Sequence, residues 1–357
     1  MTGPLAANPN PIRFEAGPLG PVYVTGAVSG LGLWQNNVSP GDQNSLASLS
    51  NGQFFLQKTD GPLQYYVQIG AYTIPALGTP YLGVVNASRE YFGSLPIAYL
   101  KVAPTDSFSI EGGKLPGLIG LENDFSFQNM NIERGLLWNQ EPFIRRGGQL
   151  NYTDGPLTLG FSLNGGFYPN GYTWLSGSVT YTLDSANSYV SIAGSNHPHS
   201  AGANSSNRLY QDNETLFNSV WTYNFAPWTL TAYFQYTNVP ANSSIGAFTP
   251  ASTYGGAILT NYTFGDNSAL PGFSLPIRFE YISSTGSLAN GAPNLLYGPG
   301  SNAWSVTVTP TYQYKIFFAR AEFSHVGTGS TTAGLAFGPS GNNTTQTRIL
   351  FETGILF

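Results

Sequence analysis

The side chains able to do chemistry in this chain are few, and they are gathered in one place. Of 357 residues, 13 are Lys or Arg, 18 are Asp or Glu and three are His. Nine of those 31 charged side chains fall between 111 and 146: Glu111, Lys114, Glu122, Asp124, Glu133, Arg134, Glu141, Arg145 and Arg146. Acids crowded against arginines make an electrostatic site. Opposed carboxylates and guanidiniums set up a transverse field that orients dipolar solutes and passes ions of either sign on separate sides. Catalysis has weaker support, and no enzyme is expected. His197 and His199 could offer a metal pair, but no Asp, Glu or Cys close in sequence completes a ligand set, so neither metal nor cofactor is expected. Cysteine is absent, which excludes disulfides, zinc–thiolate sites and thiol catalysis. There is no Gly-x-Ser-x-Gly elbow. A hydrolase would need His325 or His197 beside a serine; a histidine at an interface or in a loop is the plainer reading.

The elements that position these residues are strands. Charged residues are 9% of the chain, against about 25% in ordinary domains. Basic residues are outnumbered and never cluster beyond two, which excludes a nucleic-acid partner. Apolar and polar residues alternate with period two along most of the length. Ile277, Phe279 and Tyr281 alternate with Arg278 and Glu280; Phe317, Ala319, Ala321 and Phe323 alternate with Phe318, Arg320, Glu322 and Ser324. Sixteen such segments are expected, near 21–35, 51–59, 62–73, 95–103, 106–114, 143–153, 156–168, 172–183, 187–197, 214–224, 228–239, 253–264, 274–285, 303–313, 315–325 and 346–357. Most have the length that a tilted strand needs to cross a bilayer.

Tight turns such as Asp60-Gly61-Pro62, Asp154-Gly155-Pro156 and Ala226-Pro227 alternate with long Gly/Asn/Ser-rich connections, as in outer-membrane barrels. Two connections break the pattern: Pro169-Asn170-Gly171 is short where a long one is due, and 265–273 is long where a short one is due. Aromatics gather at strand ends, among them Trp34, Tyr72, Tyr152, Tyr168, Tyr181, Tyr223, Trp228, Tyr262 and Tyr312, as interface girdles require. A soluble propeller or sandwich fits less well, because no repeat of about forty residues is evident and the polar face is Ser, Thr, Asn and Gln rather than charged.

The expected fold is therefore all-β, a transmembrane antiparallel barrel of about sixteen strands over 21–357, preceded by a periplasmic segment over 1–20. The start, Met1-Thr2-Gly3-Pro4, lacks the charged and apolar regions of a signal peptide, so a mature chain with an added initiator Met is expected. The third long connection, about 115–142, carries too many apolar residues for a loop in water, and is expected to fold inward as a constriction. The C-terminal run looks like the terminal insertion signal of bacterial outer-membrane proteins, with Phe357 preceded by Ile355 and Phe351 on the same face.

The stretch Gly112-Gly-Lys-Leu-Pro-Gly-Leu-Ile-Gly-Leu-Glu122, followed by Asn131-Ile-Glu-Arg134, Pro142 and Gly147-Gly-Gln-Leu-Asn-Tyr152, resembles the β-barrel porin-2, OmpL-like family. That family's pattern has a Gly-x-Glu, an Asn and Arg, a Pro and then a Gly-led strand. The resemblance covers roughly 95–200 well and the rest by periodicity alone, and the chain departs from it in its low charge. It implies an outer-membrane pore whose substrates are broadly unassigned.

Alternation puts Lys101, Glu111, Glu280, Glu322 and Glu352 on the lumen wall together with Arg145, Arg278, Arg320 and Arg348. Glu122 and Asp124 of the inward loop, with Glu133 and Arg134 beside them, are expected to oppose that arginine row at the constriction. The plainer alternative is that neighbours such as Arg278/Glu280 and Arg320/Glu322 pair and brace the wall. An arginine facing lipid at midplane costs about 2–4 kcal/mol, which supports the inward facing; Arg146, on the other parity, belongs near the rim or under the loop. Tyr66, Tyr72, Tyr99, Trp174 and Tyr233 also face the lumen, where they fill space or form a platform for sugars.

The expected function is a passive diffusion pore for small hydrophilic solutes or ions in a Gram-negative outer membrane, with outer-membrane lipids as partners. Sixteen-stranded porins commonly trimerise, so a homotrimer is an expectation that no residue here specifies. A plugged barrel serving as surface receptor or adhesin is the binding alternative, and an outer-membrane hydrolase the enzymatic one.

Overall fold

The computed structural model describes residues 3–17, 20–167, 172–197 and 208–357. One antiparallel sheet of eighteen strand segments closes on itself. In chain order these are β1 (Ile12–Glu15), β2 (Pro21–Gln35), β3 (Ser45–Lys58), β4 (Leu63–Tyr72), β5 (Ile97–Val102), β6 (Phe108–Leu115), β7 (Arg145–Asp154), β8 (Leu157–Asn164), β9 (Trp174–Thr182), β10 (Tyr189–Asn196), β11 (Thr215–Phe225), β12 (Trp228–Val239), β13 (Ala251–Thr263), β14 (Phe273–Ser284), β15 (Asn302–Val308), β16 (Thr311–Tyr314), β17 (Phe317–Gly329) and β18 (Thr345–Leu356). The barrel wall has sixteen strands. β15 and β16 are two pieces of one wall strand, both paired to β14 and β17 and separated by Pro310, which cannot donate to a ladder. β1 is a short flap on the start of β2.

The period-two pattern produces this wall. Along β14, Arg278 and Glu280 are buried inside the barrel while Ile277, Phe279 and Tyr281 are exposed on its outer face. A one-residue slip would put guanidinium and carboxylate into lipid, so the register is strongly specified. The tight turns lie at one end of the barrel. Gly61 and Gly155 hold positive φ there, which glycine adopts without steric cost. Long connections lie at the other end, including 73–96, which carries helix α1 (Val84–Glu90), and 116–144. The connection 264–272 is long on the tight-turn side, as its sequence indicates. Pro169–Gly171 and Tyr168 lie outside the described residues.

The seam joins the chain's two ends. β18 pairs with β2 from Arg348↔Gln35 to Leu356↔Ala27. Beyond it Phe357 and Gly26 exchange backbone hydrogen bonds of 3.0 and 2.8 Å. The Phe357 ring lies over Gly26 and meets Phe54 edge-on at 5.7 Å. Ile349 and Phe351 are exposed on the outer face, and Leu350 and Glu352 are buried within.

One girdle assignment is corrected. Tyr72 faces inward and is fully buried, ring to ring with Phe92 and Phe125, and its hydroxyl donates to the Gly93 carbonyl. Trp34, Tyr152, Tyr181, Tyr223 and Trp228 are exposed on the outer wall. No described helix is long and apolar enough to cross a membrane, which says nothing of a β-barrel.

Candidate functional site

The connection 116–144 is held by lumen-facing side chains of strands spread around the wall. It carries short 3-10 turns at Ser126–Gln128 and Leu137–Gln140. Phe125, Ile132, Leu136, Leu137 and Ile144 in it are buried to 2% or less, in three separate apolar clusters shared with wall residues such as Tyr72, Leu350 and Val220. Its middle pairs in parallel with the preceding long connection through Ala76↔Arg134.

The wall charges grip backbone. Glu322 accepts N–H bonds from Ile132 (2.5 Å) and Glu133 (2.9 Å) and the Thr309 hydroxyl at 2.7 Å. Glu280 accepts the N–H of Leu136 at 3.0 Å and the Ser305 hydroxyl at 2.8 Å. Arg320 donates to the carbonyls of Ser126, Asn129 and Met130 at 2.7–3.0 Å. Arg348 donates to the carbonyls of Ala76 and Thr79. Glu352 collects the hydroxyls of Ser29, Ser50 and Ser126 at 2.6–3.0 Å. Each bond satisfies a polar group that would otherwise be buried without a partner.

Ion pairs complete the lining. Arg278 contacts Glu122 at 2.5 Å and Glu280 at 3.2 Å, and donates to the Glu133 carbonyl. Arg348 contacts Glu133 at 2.7 Å and Asp42 at 4.0 Å. Arg320 stands 3.7 Å from Glu352, its direct cross-strand neighbour. These are contacts, so Glu122 does not face Arg278 across a gap as an opposed pair of rows would require. The Arg278/Glu280 bracing contact forms; Arg320 takes Glu352 as its acid, with Glu322 turned to the loop backbone. Asp124 is buried, with one carboxylate oxygen lacking a hydrogen-bond partner, and burial pushes its pKa up to about 7. Arg134 donates to the carbonyls of Asp124 and Ile132, and Arg145 to those of Pro142 and Phe143 and to Ser176 Oγ at 2.8 Å. Lys101 and Glu111 pair at 3.5 Å, both partly buried, nearer the tight turns.

Two acids outside the set read from the sequence belong to the lining. Asp42 accepts from Gln35 and from the Tyr81 N–H. Glu141 accepts the Tyr233 hydroxyl at 2.5 Å, and burial pushes its pKa up to about 8, with Glu122 and Glu280 adding to the rise. The charge density of 111–146 marks Glu141, whereas nothing around Asp42 does. Glycine keeps the packing possible: a Cβ on Gly135 would overlap the Glu280 carboxylate, and one on Gly120, at φ +100°, would overlap that of Glu141. Tyr66 stacks on Tyr99 at 5.8 Å and on Phe55 at 6.3 Å, so these lumen rings cover one another's faces. His325 Nδ1 lies 2.8 Å from Thr347 Oγ1, and His197 Nδ1 lies 3.0 Å from the Glu214 carbonyl; His199 lies outside the described residues.

Three cavities border the 116–144 loop. A cavity of about 490 Å³ at the long-loop end is lined by Thr79, Trp138, Gln140, Arg208 and Tyr297 among others. Toward the tight turns, one of about 280 Å³ touches Glu122, Met130 and Thr231, and one of about 360 Å³ touches Phe55, Tyr66 and Phe127. The outer cavity shares no lining residue with either inner one, and the loop lies between them.

The family model of the beta-barrel porin-2, OmpL-like family matches residues 21–357. No curated protein matches the sequence. Among solved structures, the fold is similar to outer-membrane-expressed OmpT of Vibrio cholerae, with TM-score 0.61 and 10% identity over 98% of this chain and 100% of that one. It is similar to the outer-membrane channel DcaP of Acinetobacter baumannii, with TM-score 0.60 and 13% identity over 94% and 97%. It is also similar to OmpF of Salmonella typhi in complex with daunomycin, with TM-score 0.59 and 14% identity over 94% and 98%. At these identities the likeness is one of fold.

Proposed function

We propose, because this chain belongs to the beta-barrel porin-2, OmpL-like family of porin-type outer-membrane barrels, that it is a diffusion pore for small hydrophilic solutes with a preference for cations. The barrel belongs to the bacterial outer membrane. One observation carries the cation preference. At the level of the 116–144 segment, the lining holds Asp42, Glu122, Asp124, Glu133, Glu141, Glu280, Glu322 and Glu352 against Arg134, Arg145, Arg278, Arg320 and Arg348. An acid excess between low-dielectric walls raises local cation concentration and repels anions. Ion pairing cancels most of the local field, so the excess acids set the sign, more strongly once Asp124 and Glu141 ionise at about 7 and 8.

The test is single-channel recording in a planar bilayer under a salt gradient. Discrete steps with a reversal potential toward that of the cation support the reading. Steps with an anion-selective potential would overturn the preference.

The separation of the outer and inner cavities favours a second reading, a barrel closed by its own loop and acting as a surface receptor. Folded protein that gives no steps would replace the pore by that receptor.

A further inference from the structure

Most cations of this chain are turned inward or paired, and Lys114 and Arg146 are not. They lie on the outward parity of β6 and β7 and stand directly opposite each other across the ladder. Like charges placed so repel, and nothing in the strand pattern requires them there. The Lys114 ammonium is fixed by the carbonyls of Phe92 (2.6 Å) and Leu95 (2.7 Å), which leaves one of its three donors. Arg146 is exposed, and its guanidinium takes part in none of the hydrogen bonds or ion pairs among the described residues. Both sit at the strand ends that lead into and out of the 116–144 connection, hence at the end of the barrel where long loops face the exterior.

Directly beneath the cations, toward the middle of the wall, the next outward pair is Gly112↔Gly148. A Cβ on Gly112 would meet nothing within 4 Å, and one on Gly148 only the Glu111 carbonyl at 3.8 Å. Two adjacent glycines weaken a strand, and the open space over them leaves room for another group to approach the backbone. Leu100 and Leu163 flank the glycines, and Ile110 and Leu150 form the next row, all four exposed. The wall thus has an apolar notch one side chain deep with two cations at its upper edge.

We propose that this notch binds a phosphorylated lipid of the outer leaflet, the phosphate held by Arg146 and Lys114 and an acyl chain lying over Gly112 and Gly148. A guanidinium presents paired donors to phosphate oxygens, and the fixed ammonium supplies the second charge. The apolar rim argues for a lipid rather than free phosphate.

The test is native mass spectrometry of the full barrel in detergent, with lipid A bisphosphate, the same lipid without its phosphates, and inorganic phosphate. Wild type should retain the bisphosphate lipid about tenfold better than the dephosphorylated one, a difference of about 1.4 kcal/mol. The Lys114→Gln/Arg146→Gln double variant should lose that preference. Gly148→Leu, which keeps both cations, should lose retention by filling the notch, and it tests the site even where the double variant does not fold. Gly148→Leu changes only the outer face of the wall, so failure here is separable from failure of the pore reading, which conductance measures. Equal retention of both lipids, unchanged retention by Gly148→Leu, or displacement of the lipid by equimolar inorganic phosphate would overturn the proposal.

Discussion

Glu322 on the inner face of β17 accepts the backbone N–H of Ile132 at 2.5 Å, across 190 residues of chain. The same carboxylate takes the Glu133 N–H, so one wall side chain fixes the middle of the 116–144 segment. Removing it orphans two buried donors, each costing about 1–3 kcal/mol, which exceeds what one apolar contact can offset. Glu322→Ala should therefore detach this part of the loop and raise single-channel conductance. Glu322→Gln, which keeps one acceptor oxygen, should fall between it and wild type. Conductance of the alanine variant equal to wild type would show that the clamp does not set the opening.

Arg278 is the hub of the acid cluster, touching Glu122, Glu280 and the Glu133 carbonyl. Its loss leaves two carboxylates buried beside each other. Breaking a buried pair costs about 3–5 kcal/mol. Arg278→Met should lower the temperature at which the barrel loses its folded mobility on an unboiled gel. Arg278→Lys should recover only part, because one ammonium cannot span both carboxylates with the planar fork. A double variant, Arg278→Met with Glu280→Gln, should lose less stability than the single one.

Glu141 and Asp124 give the loop a pH response. Burial raises both, Glu141 to about 8 and Asp124 to about 7. Tyr233, Glu122, Glu280 and Arg145 act on Glu141, and Arg134 and Arg145 on Asp124. The folded state holds these protons more tightly than the unfolded chain, whose carboxyls titrate near pH 4. The stability they contribute is full below that value and is lost as pH rises through about 7 to 8. Over the same window the lining gains negative charge, so cation selectivity should rise between about pH 6 and 9. Reversal potentials across that range measure it, and Glu141→Gln should flatten the upper part of the curve.

Alternation alone carried the wall, because a strand with one face in lipid and one in a lumen leaves no second register for Arg278 and Glu280. The inward loop was legible in its apolar content, since Leu118, Phe125, Ile132 and Leu136 do not suit a loop in water, and the charges of 111–146 mark the same stretch. The partners of those groups were not legible. Glu322 reaches Ile132 and Arg348 reaches Thr79 through the folded path of the loops, and local spacing holds no trace of either contact. Tyr72 was legible both ways: its place at a strand end fits a girdle, its parity puts it on the lumen face, and the packing of Phe92 and Phe125 around it agrees with the parity.

The seam offers a test of closure. Phe357 covers Gly26 and meets Phe54 edge-on, an aromatic contact worth about 0.5–1.5 kcal/mol beyond its burial. A side chain at Gly26 would displace the ring and break the last pair of hydrogen bonds between the chain's ends. At Gly32, on the same outward face of β2, a Cβ would meet nothing within 4 Å. Gly26→Val should therefore cut the yield of folded barrel in detergent refolding by several-fold, while Gly32→Val folds as wild type. Removal of Phe357 should resemble Gly26→Val, because both open the same joint. Equal folding of the two valine variants would show that the barrel closes without the Phe357 contact.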